Sequence, residues 1–220
     1  HGEDRAFGGS LAGGFGREVA WLIETISKNS IRSYQTACFI DDDSTINGTQ
    51  LNDFKVLSMS QAKKKYENLF VVSGIGVPKV REVTMKKARA AGFSFVTLIH
   101  PCVEMSQSIE ISEGTVICAG NILTTNIILG KHVQINLDCT IGHDVIIEDY
   151  ATLGPGVHIS GCVHIGKRAY IGTGAVVING LQNKPIVIGT DAVVGAGACV
   201  TQSIPPGETW VGVPARRVRK

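Results

Sequence analysis

The chain has 220 residues, of which 44% are hydrophobic and 18% are charged, and its formal net charge at pH 7 is +2. This length allows one large domain or two small ones. A charge this close to zero gives no electrostatic basis for binding nucleic acid or an acidic polymer. No apolar run has the length of a membrane span and no charged-then-apolar leader is evident, so we expect a cytosolic protein with no membrane partner.

The first hundred residues alternate between helix and strand signals. In chain order the patterns predict a helix over Arg17–Lys28, a strand over Ala37–Ile40, a helix over Ser60–Tyr66, a strand over Leu69–Ser73, a helix over Pro78–Ala91 and a strand over Phe93–Ile99. Strands separated by helices indicate a small parallel α/β sheet, so we expect a Rossmann-like domain over residues 1–101 and a second domain over residues 102–220.

Two clusters are candidates for a ligand site, because ligands bind at the carboxyl ends of the strands in such a sheet. Gly13, Gly14 and Gly16 precede the first helix, where a glycine turn exposes backbone N–H groups to a phosphate. The acidic run Asp41–Asp43 follows the next strand, and a carboxylate about 25 residues after such a turn binds ribose hydroxyls.

The dinucleotide-binding fingerprint is incomplete at this turn. Leu11 stands where the first glycine is expected, and His1–Ser10 does not have the pattern of an apolar strand. Three explanations stay open: the first strand is missing, it is built from unusual residues, or the opening residues are foreign to the natural chain.

The second half of the chain has an aliphatic residue at every sixth position. Neither a helix nor an ordinary strand gives this period, whereas a six-residue repeat is typical of parallel β-helix solenoids. Three such hexads make one triangular coil of eighteen residues, so each aliphatic is expected to stack on its counterpart in the coil below. The periodic residues are Ile111, Ile117, Leu123, Leu129, Ile135, Ile141, Ile147, Leu153, Ile159, Ile165, Ile171 and Val177.

The register breaks once, because the next periodic residue after Val177 is Ile188. The extra residues are expected to leave the prism as a loop within Asn179–Pro185, where Asn, Gly, Gln, Lys and Pro are gathered. Such a loop either contacts a ligand or a neighbour, or is a tolerated insertion at a bend.

Motifs along nearly the whole chain resemble bacterial sugar O- and N-acyltransferases of the NeuD and PglD type, which acetylate sialic acid or nucleotide-linked amino sugars. The resemblance implies a left-handed β-helix, a homotrimer, and acetyl-CoA bound between adjacent prisms. The motifs are Ala12–Glu18, Phe39–Asp43, Gly74–Gly76 with Arg81, Leu98–Pro101, Ile141–Asp144, the hexads, and Gly212–Arg216.

His143 is the candidate general base. It comes two places after the inward Ile141, which puts its ring at the wall or bend of the prism. Acetyl transfer from a thioester needs a base for the proton of the attacking amine or hydroxyl, and imidazole suits that task near neutral pH. The resemblance gives His143 this role and Asp144 the supporting one. Adjacent strand residues point to opposite faces, so contact between the two side chains requires a bend.

Gly161 follows His143 by eighteen residues and is therefore expected one coil above it. The resemblance implies that its N–H meets the oxyanion of the tetrahedral intermediate, in a direct transfer without an acyl-enzyme. Cys139 and Cys162 have no evident activating pair and are expected to be wall residues. The six cysteines, Cys38, Cys102, Cys118, Cys139, Cys162 and Cys199, are scattered and predict buried residues of a reduced protein.

The resemblance also implies ligand contacts, with two departures from the family. Phe15 and Thr152 stand where family members can carry histidines that touch the sugar and the coenzyme respectively, so the precise acceptor stays open. The basic tail resembles tails that approach the phosphates of CoA, although a solvated tail fits equally. The implied substrate contacts are Gly13, Gly14, Phe15, Gly16, Asp41, Asp42 and Gly76; the implied coenzyme contacts are Thr152, Gly161, Gly172, Arg216 and Arg217.

Two other classes use this kind of prism. A zinc carbonic anhydrase gathers three imidazoles, but His132, His143, His158 and His164 have no eighteen-residue relation, so no metal is expected. A non-enzymatic scaffold would have no acetyl-CoA turnover to lose. We therefore expect an acetyl-CoA-dependent acetyltransferase acting on a nucleotide-linked 4-amino sugar, with O-acetylation of sialic acid or a related sugar as the alternative.

Overall fold

The structure, a computed structural model, describes residues 5–10, 14–30 and 34–218, which divide into two compact units. The first unit contains the chain up to Gly76 together with Val80–Pro101. The second contains Val77–Lys79 together with the chain from Cys102 onward. Among the described residues, no helix has the length and apolar character needed to cross a membrane.

The first unit is built around a mostly parallel sheet. The sheet has the order β3-β4-β2-β1-β5-β6, in which only the short β3 runs antiparallel to its neighbour. The elements up to residue 101 are β1 (Arg5–Ser10), α1 (Gly14–Lys28), β2 (Tyr34–Ile40), β3 (Gln50–Leu51), β4 (Phe54–Leu57), α2 (Met59–Lys65), β5 (Phe70–Ser73), α3 (Pro78–Ala90), β6 (Ser94–Phe95) and β7 (Leu98–Ile99).

Of the explanations left open for the incomplete fingerprint, a missing first strand is wrong, because Arg5–Ser10 form a strand without the apolar pattern. This segment is the central strand of the sheet and pairs in parallel with β2 on one side and β5 on the other. Its two glycines and its alanine are of residue types depleted in strands, which hid the strand from the sequence pattern. Backbone hydrogen bonds on both edges compensate, because they do not depend on the side chains.

The remaining differences in the first unit are smaller. The hairpin formed by β3 and β4 was not predicted, because each strand is too short to show an alternating pattern. The helix α1 begins at Gly14, three residues before the predicted start. Its Val19, Leu22 and Ile23 are buried while Trp21 is half exposed, as the amphipathic spacing predicts.

The second unit consists almost entirely of very short strands. In chain order they are β8 (Glu104–Met105), β9 (Ile109–Ile111), β10 (Val116–Ile117), β11 (Ile122–Leu123), β12 (Ile127–Leu129), β13 (Gln134–Ile135), β14 (Thr140–Ile141), β15 (Ile146–Ile147), β16 (Thr152–Leu153), β17 (His158–Ile159), β18 (Val163–Ile165), β19 (Tyr170–Ile171), β20 (Val176–Val177), β21 (Ile186–Ile188), β22 (Val193–Val194), β23 (Cys199–Val200), β24 (Thr209–Val211) and β25 (Arg216–Arg217).

These strands form the three faces of a parallel β-helix, which confirms the predicted fold. The first face contains β10, β13, β16, β19, β22 and β24, with β25 antiparallel at its end. The second face contains β8, β11, β14, β17, β20 and β23, and the third contains β9, β12, β15, β18 and β21. Until the inserted loop, each strand pairs in parallel with the strand eighteen residues further along, for example Ile141 with Ile159.

The periodic aliphatics form the core of the prism. From Ile117 to Val200 they are 2% exposed or less, and they stack in three columns, one behind each face. Ile111 is only partly buried, because it lies in the first coil and has a neighbour on one side only. Burying this apolar stack is the main stabilising contribution that the sequence repeat supplies.

The bends between faces need backbone that few residues adopt. Most bends contain one residue with positive φ, and at the bend from the first face to the second most of these are glycines, such as Gly156 and Gly174. The bend from the second face to the third instead contains Asn126 (φ 54°), Asp144 (φ 57°) and Cys162 (φ 55°). Three non-glycine residues therefore lie at one corner of the prism at intervals of eighteen residues, and of these Cys162 is buried.

The inserted loop lies where the sequence predicts it. The strand β20 ends at Val177 and β21 begins at Ile186. Between them Leu181 and Lys184 form an antiparallel bridge, with N···O distances of 3.0 and 2.9 Å. The loop is thus a small closed hairpin that leaves the prism directly after the corner residue Gly180.

The core packing is tested by two neighbouring valines of β20. Val177 faces the axial core at 0% exposure, whereas Val176 faces outward at 38%. We expect Val177→Ala to lower the free energy of unfolding by about 2 kcal/mol, because it leaves a cavity in a closely packed stack. The matched change Val176→Ala should cost less than about 0.5 kcal/mol. Denaturant unfolding of both variants is the measurement, and equal losses would contradict this assignment of the core.

Candidate functional site

The carboxyl ends of three strands meet at one edge of the α/β sheet. Ser10, the last residue of β1, lies opposite Ile40 of β2 and Ser73 of β5. The strand order reverses at β1, since β2 follows it on one side and β5 lies on the other. An open parallel sheet binds its ligands at such a reversal. The segments that follow these three strands contain all of the predicted substrate residues.

The glycine turn after β1 is only partly described. Gly13 lies outside the described residues. Gly14 is exposed at the start of α1, Phe15 is partly buried and Gly16 is buried. The turn therefore presents the first turn of a fifteen-residue helix at the carboxyl edge, which is the arrangement that favours an anionic ligand.

The two aspartates after β2 are held by the protein. Asp41 is buried and its Oδ1 accepts a hydrogen bond from the backbone N–H of Asp43 at 2.9 Å. Asp42 accepts hydrogen bonds from the Lys87 ammonium and from the backbone N–H of Met59. The Lys87 hydrogen bond holds the pKa of Asp42 below its ordinary value, against the opposing effect of burial. Asp42 is thus fixed as a carboxylate with part of its surface exposed.

The loop after β5 is positioned by a buried arginine. Arg81 is fully buried, and its Nη1 donates to the carbonyl oxygens of Ile75 at 2.6 Å and Gly76 at 3.3 Å. The Ser73 hydroxyl accepts a hydrogen bond from the Ile75 N–H at 3.2 Å. These bonds fix the loop beside the reversal of strand order, and a Cβ added at Gly76 would meet no atom within 4 Å. Gly76 therefore has open space in front of it.

A separate cleft of about 670 Å³ lies elsewhere in this unit. It is lined by Trp21 and Glu24 of α1, by Gln35 near the start of β2, and by Asn52 and Phe54 of the hairpin. None of the predicted substrate residues lines it. The predicted substrate residues therefore lie at the carboxyl edge, where ligands of such sheets bind, and not at this cleft.

His143 lies at the corner of the prism, immediately after β14. Its side chain is 52% exposed, and its Nδ1 lies 2.8 Å from Oδ2 of Asp144, whose side chain is 40% exposed. Contact between these sequence neighbours is possible because the backbone bends at Asp144, which has φ 57°. The sequence predicted that such a bend is required. A histidine and a carboxylate therefore form a pair at an accessible corner.

Asp144 is held as an anion by two hydrogen bonds. The side chain of His143 lowers the pKa of Asp144, and the Asn126 amide, which donates to Oδ1 at 3.1 Å, lowers it further. An ionised carboxylate can only accept hydrogen bonds, so Nδ1 of His143 must carry the proton in this pair. The neutral ring then has its lone pair on Nε2.

Gly161 lies directly against the ring of His143. A Cβ added at Gly161 would lie 2.4 Å from Nε2 and 2.6 Å from Cε1 of His143, which no real contact allows. The predicted stacking of residues 143 and 161 is therefore present, and it explains why glycine stands at position 161. The missing side chain leaves room for the ring.

The N–H of Gly161 has a partner in this structure. It donates to Oδ1 of Asn179 at 2.8 Å, and Nδ2 of Asn179 donates to the carbonyl of Gly180 at 2.8 Å. The predicted role of this N–H as an oxyanion donor therefore requires the side chain of Asn179 to move aside. Asn179 begins the inserted loop, so the loop contacts the site residue Gly161.

The other predicted coenzyme residues are not gathered around His143. Thr152 is buried on the first face, so contact with a coenzyme would require the surrounding chain to open. Gly172 is also buried, and a Cβ there would lie 2.6 Å from the backbone nitrogen of Ala196 in the next coil. Arg216 and Arg217 are exposed in β25, where Arg217 forms an ion pair with Glu208 at 3.1 Å.

Sequence reasoning missed two residues that contact this site. Asn126 precedes Asp144 by eighteen residues, and Asn179 follows Gly161 by eighteen. The same interval that placed Gly161 above His143 could have identified both. Of the four histidines considered for zinc, no three come together among the residues that the structure describes.

Comparison with known proteins agrees with both units. The PglD N-terminal domain family matches residues 12–88, and the bacterial transferase hexapeptide family, with six repeats, matches residues 144–179. The GDP-perosamine N-acetyltransferase of Escherichia coli O157:H7 is 33% identical over 214 residues, which are 95% of this chain and 94% of that protein.

Solved structures give the same result. WeeI from Acinetobacter baumannii AYE is 36% identical, with a TM-score of 0.89 over 97% of this chain and 100% of that one. A histidine-to-asparagine mutant of perosamine N-acetyltransferase from Caulobacter crescentus, in complex with CoA and GDP-perosamine, is 27% identical, with a TM-score of 0.86 over 98% and 97% of the two chains.

The acetyltransferase domain of PglB from Neisseria gonorrhoeae FA1090, in complex with acetyl coenzyme A, is 27% identical, with a TM-score of 0.83 over 98% and 100% of the two chains. An α/β unit followed by a hexapeptide prism with an exposed histidine thus defines a class of acyltransferase. The chain belongs to the sugar acetyltransferases of the NeuD and PglD type, for which acetyl-CoA is the co-substrate.

The contact between Gly161 and His143 gives a direct test. We expect Gly161→Ala to lower kcat by at least about 100-fold, because the added methyl group must displace the imidazole from its position. Release of CoA thiol is the measurement, and the control is Ser160→Ala, which changes the neighbouring residue and leaves glycine at position 161. If Gly161→Ala retained the wild-type kcat, the position of the imidazole would not matter for the reaction.

Proposed function

We propose that the enzyme transfers the acetyl group of acetyl-CoA to the amino group of a nucleotide-linked 4-amino sugar, with His143 as the general base. The observation that carries the proposal is the His143–Asp144 pair, which lies against Gly161 at an exposed corner of the prism. The relatives that share nearly the full length support the acceptor class, since two are named for perosamine N-acetylation.

The hydrogen bond between His143 and Asp144 has the direction that a general base needs. Asp144 accepts the Nδ1 proton of His143, which leaves Nε2 to accept a second proton. The side chain of His143 is 52% exposed, which supports access of a substrate to the ring. When the ring becomes an imidazolium in the reaction, the nearby carboxylate stabilises its charge.

The transfer needs no covalent enzyme intermediate. The sugar nitrogen attacks the thioester carbonyl and forms a C–N bond, and Nε2 of His143 takes the proton that the nitrogen loses. Collapse of the tetrahedral intermediate breaks the C–S bond, and the CoA thiolate leaves and receives a proton from the imidazolium. The Gly161 N–H is a candidate donor to the oxyanion once Asn179 has moved aside.

The two units have different roles in this proposal. The carboxyl edge of the α/β unit, with Gly14, Asp41, Asp42 and Gly76, binds the nucleotide-linked sugar, while the prism binds the thioester. The enzyme acts as a homotrimer with acetyl-CoA between adjacent prisms. Exposed apolar side chains on the outer surfaces of two faces support an interface there: Ile122 and Val176 on the second face, and Ile128, Ile146 and Val187 on the third.

The role of the base is tested by His143→Asn, which keeps a polar side chain but removes the proton acceptor. We expect kcat to fall by about 10²–10⁴-fold, the usual contribution of a general base, with little change in the KM for acetyl-CoA. Steady-state assays of thiol release give both constants.

His158→Asn is the matched control for this experiment. His158 is an exposed histidine of the same prism, bonded to the Thr140 hydroxyl at 2.8 Å, and has no part in the proposed transfer. Its kcat should equal that of the wild type. Turnover by His143→Asn at the wild-type rate would exclude His143 as the base.

The acceptor is tested by a panel of substrates. We expect thiol release with nucleotide-linked 4-amino sugars and none with free sialic acid, because the proposed nucleophile is an amine. Mild alkaline hydroxylamine distinguishes the products, since it removes O-acetyl groups and leaves N-acetyl groups. Release of acetyl from the product by hydroxylamine would favour the alternative, an O-acetyltransferase acting on sialic acid or a related sugar.

A further inference from the structure

Three residues with metal-binding side chains converge at the corner that contains His143. One donor atom each from His143, Asp144 and Cys162 lies within 4.8 Å of the other two. The side chains of His143 and Asp144 are about half exposed, whereas Cys162 is buried beneath them. An imidazole nitrogen, a carboxylate oxygen and a thiol sulfur are all ligands that Zn²⁺ uses in proteins.

The fold brings these residues together. Asp144 and Cys162 occupy the same corner position in successive coils, and both have positive φ. The backbone N–H of Cys162 donates to the carbonyl of His143 at 2.9 Å, which ties the two coils together at this point. The ring of His143 extends towards the same coil, since it lies against Gly161, the residue before Cys162.

The spacing suits a tetrahedral cation after a small adjustment. Zn²⁺ binds nitrogen and oxygen at about 2.0–2.2 Å and sulfur at about 2.3 Å, so donor atoms around it lie roughly 3.3–3.8 Å apart. The separations of at most 4.8 Å at this corner need a shift of about 1 Å, which the two exposed side chains can supply by rotation. The exposed side of the cluster leaves the fourth position to water.

A second contact orients the carboxylate. Oδ1 of Asp144 accepts a hydrogen bond from Nδ2 of Asn126 at 3.1 Å, which leaves Oδ2 directed towards the ring of His143. Outer hydrogen bonds of this kind orient metal ligands and strengthen the binding of the metal. The corner therefore has three ligands and a residue that positions one of them.

We propose that His143, Asp144 and Cys162 form an inhibitory site for Zn²⁺ or a similar thiophilic divalent cation. Binding replaces the hydrogen bond between His143 and Asp144 with metal–ligand bonds, and the thiol of Cys162 releases its proton to water as the sulfur–metal bond forms. The bound metal has no part in acetyl transfer itself, although two of its ligands, His143 and Asp144, do. Only its inhibitory consequence depends on the proposed function.

Inhibition follows whichever ring nitrogen binds the metal. Coordination through Nε2 occupies the lone pair that accepts the proton of the acceptor. Coordination through Nδ1 leaves the proton of the neutral ring on Nε2, which then cannot accept another. In both cases His143 is lost as a base, so occupancy of the site and acetyl transfer exclude each other.

Binding is tested first, without any activity assay. Chelator-treated protein is titrated with cadmium chloride alone, and the ultraviolet thiolate-to-cadmium absorption band is recorded. We expect one Cd²⁺ per chain in the wild type. The variants Cys162→Ala and Cys162→Ser should lose the band and weaken binding by at least about 100-fold, since even changes in the outer shell cost about 10–100-fold.

Two further variants complete the binding test. Cys102→Ala removes an exposed cysteine outside the cluster and should bind like the wild type, whereas Asn126→Ala should weaken binding by about tenfold. Far-ultraviolet circular dichroism establishes that each variant is folded. A wild type without the band, or Cys162 variants that keep it, would overturn the site.

Inhibition is tested second, with zinc chloride in the acetyl-transfer assay. Zn²⁺ should inhibit the wild type, and Cys162→Ser should need at least about tenfold more Zn²⁺ for the same inhibition, because it lacks the thiolate. Equal inhibition of the two proteins would overturn the inhibitory role. If no sugar acceptor were acetylated, the proposed function would fail while the cadmium titration still decided whether the site exists.

Discussion

The stacking of identical positions at intervals of eighteen residues is the constraint on which the rest of the prism depends. Inward aliphatics can form a dry core only if every coil repeats the register of the one below. On one face, for example, Ile135 pairs with Leu153, and Leu153 pairs with Ile171. The single interruption is absorbed by the hairpin between β20 and β21, after which the register resumes. A slip of one residue would turn each core aliphatic towards solvent, so the repeat is enforced by burial.

The same register builds the site. His143 lies one coil below Gly161, so the missing side chain of Gly161 makes room for the imidazole. Asp144 lies between Asn126 in the coil below and Cys162 in the coil above. Its carboxylate therefore accepts a hydrogen bond from the Asn126 amide and lies near the Cys162 thiol. The bend gives Asp144 a left-handed backbone and allows it to hold its own neighbour in the chain. A regular solenoid thus forms an acid–base pair without a dedicated binding domain.

The two units provide different chemical groups. The α/β sheet gathers three strand ends at one edge, where a helix N-terminus, fixed carboxylates and an arginine-braced loop suit a polar, anionic nucleotide. The prism offers an accessible imidazole and exposed aliphatic rows. Arg81 and Lys87 act through other residues, since one fixes the Gly76 loop and the other holds Asp42 ionised.

The six-residue period predicted the hexapeptide prism, its core columns, the position of the inserted loop and the stacking of His143 with Gly161, because a strict period converts sequence distance into spatial distance. The sequence did not determine β1, whose arginine and glycines are stabilised by pairing on both edges, nor the hairpin of β3 and β4. It also missed Asn126 and Asn179. The tertiary structure was needed to show that the Gly161 N–H donates to Asn179, that Thr152 is buried and that Cys162 lies near the imidazole. These contacts depend on the directions of side chains at the bends, which the period does not give.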